Sequence, residues 1–168
     1  MVSRLRCIAA VALWMMVMAA GSSLGSPEAQ ARSGTWTPAG SMAQARTGAS
    51  AALLQDGAIL IAGGANSGEP LASVEIFNRG SFAATGSMLL ARWHAAAVTL
   101  KDGRILIAGG STSSGPTSET ELYNPATRSW TIGDPMLASH SGHTATLLPD
   151  GRVLIAGGEG SGAPGNTL

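Results

Sequence analysis

The stretch DGRILIAGG at residues 102–110 decides the fold, because the chain carries nearly the same words twice more. DGAILIAGG stands at 56–64 and DGRVLIAGG at 150–158. The flanks align too. Asp56, Asp102 and Asp150 are separated by 46 and 48 residues, and the same intervals connect Met42, Met88 and Met136, and also Trp36, Phe82 and Trp130. Asn78 and Asn124 repeat at 46. The two-residue excess falls in NPATRSW (124–130) against NRGSF (78–82), so length changes only in a turn while register is kept. Such a pattern is a structural repeat, not low complexity.

Each unit predicts four short strands. ASAALL (49–54) and AAAVTL (95–100) stop at Asp-Gly, which suits a tight antiparallel hairpin. The run that follows, ILIAGG or VLIAGG, is apolar on both pleat faces, as in a strand buried between two sheets. VEIFN (74–78) and TELYN (120–124) return to alternation and predict a half-exposed third strand. SFAAT and SWTIG supply a fourth with one large aromatic, a class to which Trp36 in GTWTP also belongs. Four-stranded sheets repeating at about 45 residues stack radially as propeller blades. The paired glycines Gly63-Gly64, Gly109-Gly110 and Gly157-Gly158 end the second strands, where a missing Cβ permits close backbone approach.

The glycine pair, the aromatic of the third strand (Phe77, Tyr123) and the Trp or Phe of the fourth (Phe82, Trp130) resemble the kelch repeat over about 36–158. HTATLLPDGRVLIAGG (143–158) is similar to secreted bacterial kelch proteins, whose propeller is shared with galactose oxidase and its relatives. The resemblance implies an all-β, partial kelch-type β-propeller. Its parts are an outer strand near Trp36, blades at 46–86 and 92–134, and a half-blade at 140–158. Family rings usually close with six or seven blades, so the chain is expected to be part of a longer product. The alternative is a ring completed by self-association through open propeller edges.

Ahead of the repeats, Arg4 and Arg6 precede an apolar run at 7–20, too short for the roughly 20 helical residues a bilayer takes. It fits the apolar part of a secretory signal peptide, with Ala29-Gln30-Ala31 as the cleavage site. An uncleaved anchor is the rival reading, opposed by the polar stretch 21–27. The expectation is a signal peptide at 1–31, a kelch region at 32–168, and secretion to the periplasm or the extracellular space. No stable membrane span would remain after cleavage. Cys7 is the single cysteine and lies in the leader, so the mature chain would hold neither a disulfide nor a thiol nucleophile. Ten Lys+Arg balance ten Asp+Glu at 12% charged residues, which leaves no basic stripe for nucleic acid.

The copper radical chemistry of the resembled family implies a cysteine crosslinked to tyrosine, a second tyrosine and two histidines. The mature segment has Tyr123 alone and no cysteine, so no catalytic, cofactor-binding or metal residue is assigned. His94, His140 and His143 fall near the start of first strands at non-equivalent positions, the last two on opposite pleat faces of a regular strand, and read as structural. Arg46 and Arg92 are equivalent, with His140 in their place in the third unit. They suggest either a cationic ring at the propeller mouth that could meet acidic ligands such as sugar acids, or a repeat-to-repeat ion pair or hydrogen bond with a neighbouring loop. Glu75 and Glu121 are equivalent and are expected on the exposed pleat of the third strand, copies serving the repeat rather than facing carboxylates of a glycosidase. Met42, Met88 and Met136 read as packing residues. ANSGEPLAS (65–73) and STSSGPTSE (111–119) read as surface loops, where binding usually resides. The function expected is an exported module that binds a protein or a carbohydrate, without catalysis or cofactor in this segment. The alternative is a piece of a secreted oxidase or glycan-active enzyme whose chemistry lies in other blades.

Overall fold

The computed structural model describes residues 38–160. The expected signal peptide and the strand near Trp36 lie outside the described residues. The first unit folds as β1 (Ser50–Leu53), β2 (Ile59–Ala62), a two-residue-stranded hairpin of β3 (Ala65–Asn66) and β4 (Glu69–Pro70), then β5 (Val74–Asn78) and β6 (Ser81–Ala84). The second repeats it with β7 (Ala96–Thr99), β8 (Ile105–Ala108), β9 (Ser111–Thr112), β10 (Gly115–Pro116), β11 (Thr120–Asn124) and β12 (Ser129–Ile132). The third supplies β13 (Thr144–Leu147) and β14 (Val153–Ala156). Two antiparallel sheets result, ordered β1-β2-β5-β6 and β7-β8-β11-β12, with β13-β14 as a paired remainder. β7 neighbours both β1 and β13, so the first strands of the three units converge on one side. Among the described residues, no helix is long and apolar enough to cross a membrane.

The Asp-Gly turns work by a division of labour. Gly57, Gly103 and Gly151 take φ of +85°, +85° and +97°, while the preceding aspartates stay at negative φ. Each Asp Oδ1 instead accepts from the backbone N–H two residues on, at Ala58, Arg104 and Arg152, all at 3.0 Å. The turn is therefore a three-residue hairpin loop with a left-handed glycine, rather than a two-residue one with both centres at positive φ.

The two blades bury one continuous core. Leu54, Leu60, Ala62, Val74 and Met88 of the first meet Ile105, Ile107, Tyr123 and Trp130 of the second. Tyr123 is fully buried and its hydroxyl hydrogen-bonds to Thr85 Oγ1 at 2.7 Å, while Trp130 Nε1 donates to the Gly86 carbonyl at 2.7 Å. Each bond crosses from the second blade to the first. At about 1.5–3 kcal/mol for each buried aliphatic side chain, this interface is the main source of cohesion. β8 is buried as its apolar run predicts, with Ile105 and Ile107 fully inaccessible. β2 is not: Ile59 is 36% exposed, because a described sheet covers only one of its faces.

Backbone hydrogen bonds repeat at each joint. Gly64 N–H donates to the Arg92 carbonyl at 2.9 Å, and Arg92 N–H donates to Leu71 O at 3.1 Å. One repeat later Gly110 donates to His140 O at 2.7 Å and His140 donates to Thr117 O at 3.3 Å. Such proximity requires glycine at the pair. A Cβ on Gly63 would stand 2.3 Å from Arg92 O and 2.9 Å from the Met88 methyl, and one on Gly109 would stand 2.4 Å from His140 O and 2.8 Å from the Met136 methyl. Met88 and Met136 are thus the packing residues their periodicity suggests, tucked under the glycines at 4% and 6% exposure.

Candidate functional site

The equivalent arginines are buried ionic groups that face inward. Arg92 Nη2 meets Glu121 Oε1 at 2.8 Å with both side chains almost wholly buried, and Arg46 meets Glu75 in the same geometry at 2.8 Å. Arg92 Nη1 also donates to the carbonyls of Gly109 and Glu119, and Arg46 Nη1 to those of Gly63 and Ser73. Glu121 accepts from the backbone N–H groups of Leu89 and Leu90 as well, at 2.7 and 3.0 Å. Burial pulls the Arg92 guanidinium below its ordinary value, and the Glu121 carboxylate opposes that pull. The pairs lie inside a repeat, clasping the segment before the first strand to the third strand. Glu75 and Glu121, expected on an exposed pleat, are 3% and 2% exposed. That segment covers their face, so the arginines form no cationic ring, and their ion pairs lie within one repeat rather than between repeats as expected.

In the third unit His140 takes the arginine's place with one of its bonds, Nδ1 to the Gly157 carbonyl at 3.2 Å. His143 stands beside it, ring centroids 5.7 Å apart at 58°. Opposite pleat faces were expected, but β13 begins at Thr144, so both rings precede the regular strand and converge. Both are at least nine-tenths buried, and among the described residues neither ring nitrogen of His143 has a hydrogen-bond partner. Burial, then the neighbouring His140, holds the His143 imidazole below its usual 6.5, with the Ala108 backbone opposing. The folded chain therefore binds fewer protons here than the unfolded chain, so stability rises with pH across this window. It is full above about 6.5 and is lost as pH falls from there through the folded value. Hydrogen exchange at residues 140–158 is expected to accelerate between pH 7.5 and 5.5 beyond its intrinsic pH trend. His143→Phe should abolish the excess.

His94 differs from the other two histidines. It is exposed and sits at φ +50°, where the repeat-equivalent residues are Gly48 at +62° and Gly142 at +70°. A left-handed conformation costs a non-glycine residue roughly 1–2 kcal/mol. His94 N–H donates to Gly48 O at 2.7 Å and Gly142 N–H donates to His94 O at 2.9 Å, so the three residues form a hydrogen-bonded row from unit to unit. The imidazole lies over Gly48, whose missing side chain makes room: a Cβ there would come within 2.4 Å of the ring. Trp93, in the position of Thr47 and Ser141, stacks on His94 with ring centroids 5.1 Å apart and planes 2° from parallel. Sequence reasoning passed over Trp93. The signal was present, since Trp93-His94 interrupts columns otherwise filled by Thr-Gly and Ser-Gly at the 46 and 48 spacings.

The segments 65–73 and 111–119 open as hairpins rather than loose loops. β3–β4 turns through Ser67 and Gly68, both at positive φ, and β9–β10 closes with Thr112 Oγ1 donating to Gly115 O. Each hairpin is tied to the row just described, Thr47 bridging Ala65 and Trp93 bridging Ser111.

Residues 92–137 match the family model of the Kelch motif. The fold is that of a kelch-repeat propeller. Among solved structures, these kelch blades are similar to a fungal alcohol oxidase of the AA5 family, solved in complex with copper. The TM-score is 0.61 at 24% identity, over 68% of this chain. The chain spans 27% of that structure's length, and at this identity the likeness concerns the fold. No curated protein matches the sequence. The described kelch blades do not fit a copper centre of the expected kind. Tyr123 spends its hydroxyl on Thr85 in the core, and no group of three His, Cys, Asp or Glu side chains converges among the described residues.

Proposed function

We propose that these kelch blades form the non-catalytic part of an exported propeller that binds a protein or a carbohydrate. One observation carries the reading. The Arg–Glu pairs common to the first two units are buried, while the hairpins after the glycine pairs and the row bridged to them differ in sequence between units. A rigid scaffold with variable segments along one edge of its repeats is the usual arrangement for recognition. The likeness to an alcohol oxidase supports a second reading, in which the blades belong to a secreted oxidase whose reacting residues lie elsewhere.

The test uses the native exported product, captured with an antibody to residues 140–158. It is probed on an array of saccharides and assayed, with copper added, for peroxide release from primary alcohols. Saturable binding without peroxide supports the first reading. Peroxide release, in which dioxygen takes two electrons and two protons from the alcohol, overturns it in favour of the second.

A further inference from the structure

We propose that Trp93 and His94 form a stacking platform for an uncharged sugar ring. This deepens the carbohydrate arm of the proposed function and rests on it. The first ground is backbone strain. His94 holds a left-handed conformation that both equivalent positions reserve for glycine, and its neighbour at Gly48 leaves space for the imidazole alone. Strain of this kind persists where the surroundings enforce it and clusters at ligand sites. Burial does not account for the residue, because His94 is exposed.

The second ground is shape. The two rings stack face to face, planes 2° from parallel and centroids 5.1 Å apart. Trp93 is half-buried and His94 exposed, so the pair offers one outer ring face with a polar edge. A sugar ring has the matching form, one face of C–H groups and a circumference of hydroxyls. Hydroxyl groups stand around the platform. Ser111 is bridged to Trp93 through the backbone and donates its hydroxyl to Ser141 at 2.9 Å, and Thr47 lies exposed beside Gly48. Aromatic surface joined to a few placed polar groups is the usual composition of a small-molecule site.

The third ground is charge. Arg46 and Arg92, adjacent in sequence to Thr47 and Trp93, are buried in their own ion pairs. Neither guanidinium is free to receive a carboxylate or a phosphate. An uncharged ring is favoured over a sugar acid.

The test is a titration of the full chain with lactose, cellobiose and glucuronate. It is followed by the indole N–H resonance of Trp93, assigned by its loss in Trp93→Phe. The expected result is a saturable shift with either neutral disaccharide at millimolar concentration and none with glucuronate. His94→Gly restores the residue of the other repeats, so its melting temperature should be held or raised while the dissociation constant rises at least about tenfold, a loss of roughly 1.4 kcal/mol. A fall in melting temperature with unchanged binding would make His94 a packing residue and overturn the proposal. So would a disaccharide that binds without moving the Trp93 resonance, although carbohydrate binding would then survive at another place. A null result with these probes, together with an array on which no saccharide binds, removes the platform and the carbohydrate reading together.

Discussion

Glu121→Ala should destabilise the fold by about 3–5 kcal/mol, the cost of leaving a buried guanidinium without its counter-charge. Arg92 is 1% exposed, and Glu121 also caps the backbone N–H groups of Leu89 and Leu90. Removing the carboxylate therefore orphans one cation and two amides at once, and unsatisfied buried groups cost more than the mean worth of the bonds they lose. Urea denaturation of the variant checks the magnitude. The companion Arg92→Ala should be comparably damaging, since it frees the Gly109 and Glu119 carbonyls as well as the carboxylate. The double variant should fall well short of the sum, because the two residues share one network. Arg152→Ala is the control: its partner Asp150 is a surface carboxylate, the guanidinium is 72% exposed, and no measurable change is expected. Equal losses at Arg92 and Arg152 would show that the inward-facing pair does not hold the blade.

Trp130→Ala should cost about 3–5 kcal/mol and should act on the joint between blades rather than within one. The indole packs with Tyr123 at 5.0 Å between ring centroids and closes against the first blade through its bond to Gly86 O. Truncation opens a cleft of the sort seen on the far side of the second blade. There Leu106, Leu122, Met136, Val153 and Ile155 line a cavity of about 290 Å³. Trp130→Phe retains most of the apolar volume and loses the hydrogen bond, so it should cost about 1–2 kcal/mol. Hydrogen exchange locates the effect: loss of protection should spread to Thr85 and Gly86 in the first blade. If protection falls only within β11 and β12, Trp130 serves its own sheet and the two blades are held by other contacts.

Much of this was legible before any coordinates. The Asp-Gly punctuation placed the first two strands of each unit. The apolar and alternating runs between glycine pair and aromatic placed the third and fourth. Those signals are local, since a left-handed glycine and a period of two act over a few residues. The errors shared a cause. Alternation along VEIFN and TELYN says that Glu75 and Glu121 face away from Val74 and Thr120, but not what covers that other face. A segment some thirty residues earlier in the chain covers it, and it brings the arginines along. For His140 and His143, three positions apart, opposite faces follow only if the strand has already begun, and it has not.

The repeat, its strands and its turns could be read from the chain, because hydrophobic period and glycine conformation are carried by neighbouring residues. Packing between distant segments set which charges are buried, that the His143 ring is enclosed, and that the His94 imidazole lies against Gly48. Those outcomes depend on contacts between residues about 30 to 46 positions apart, whose separation in space only the packed blades set.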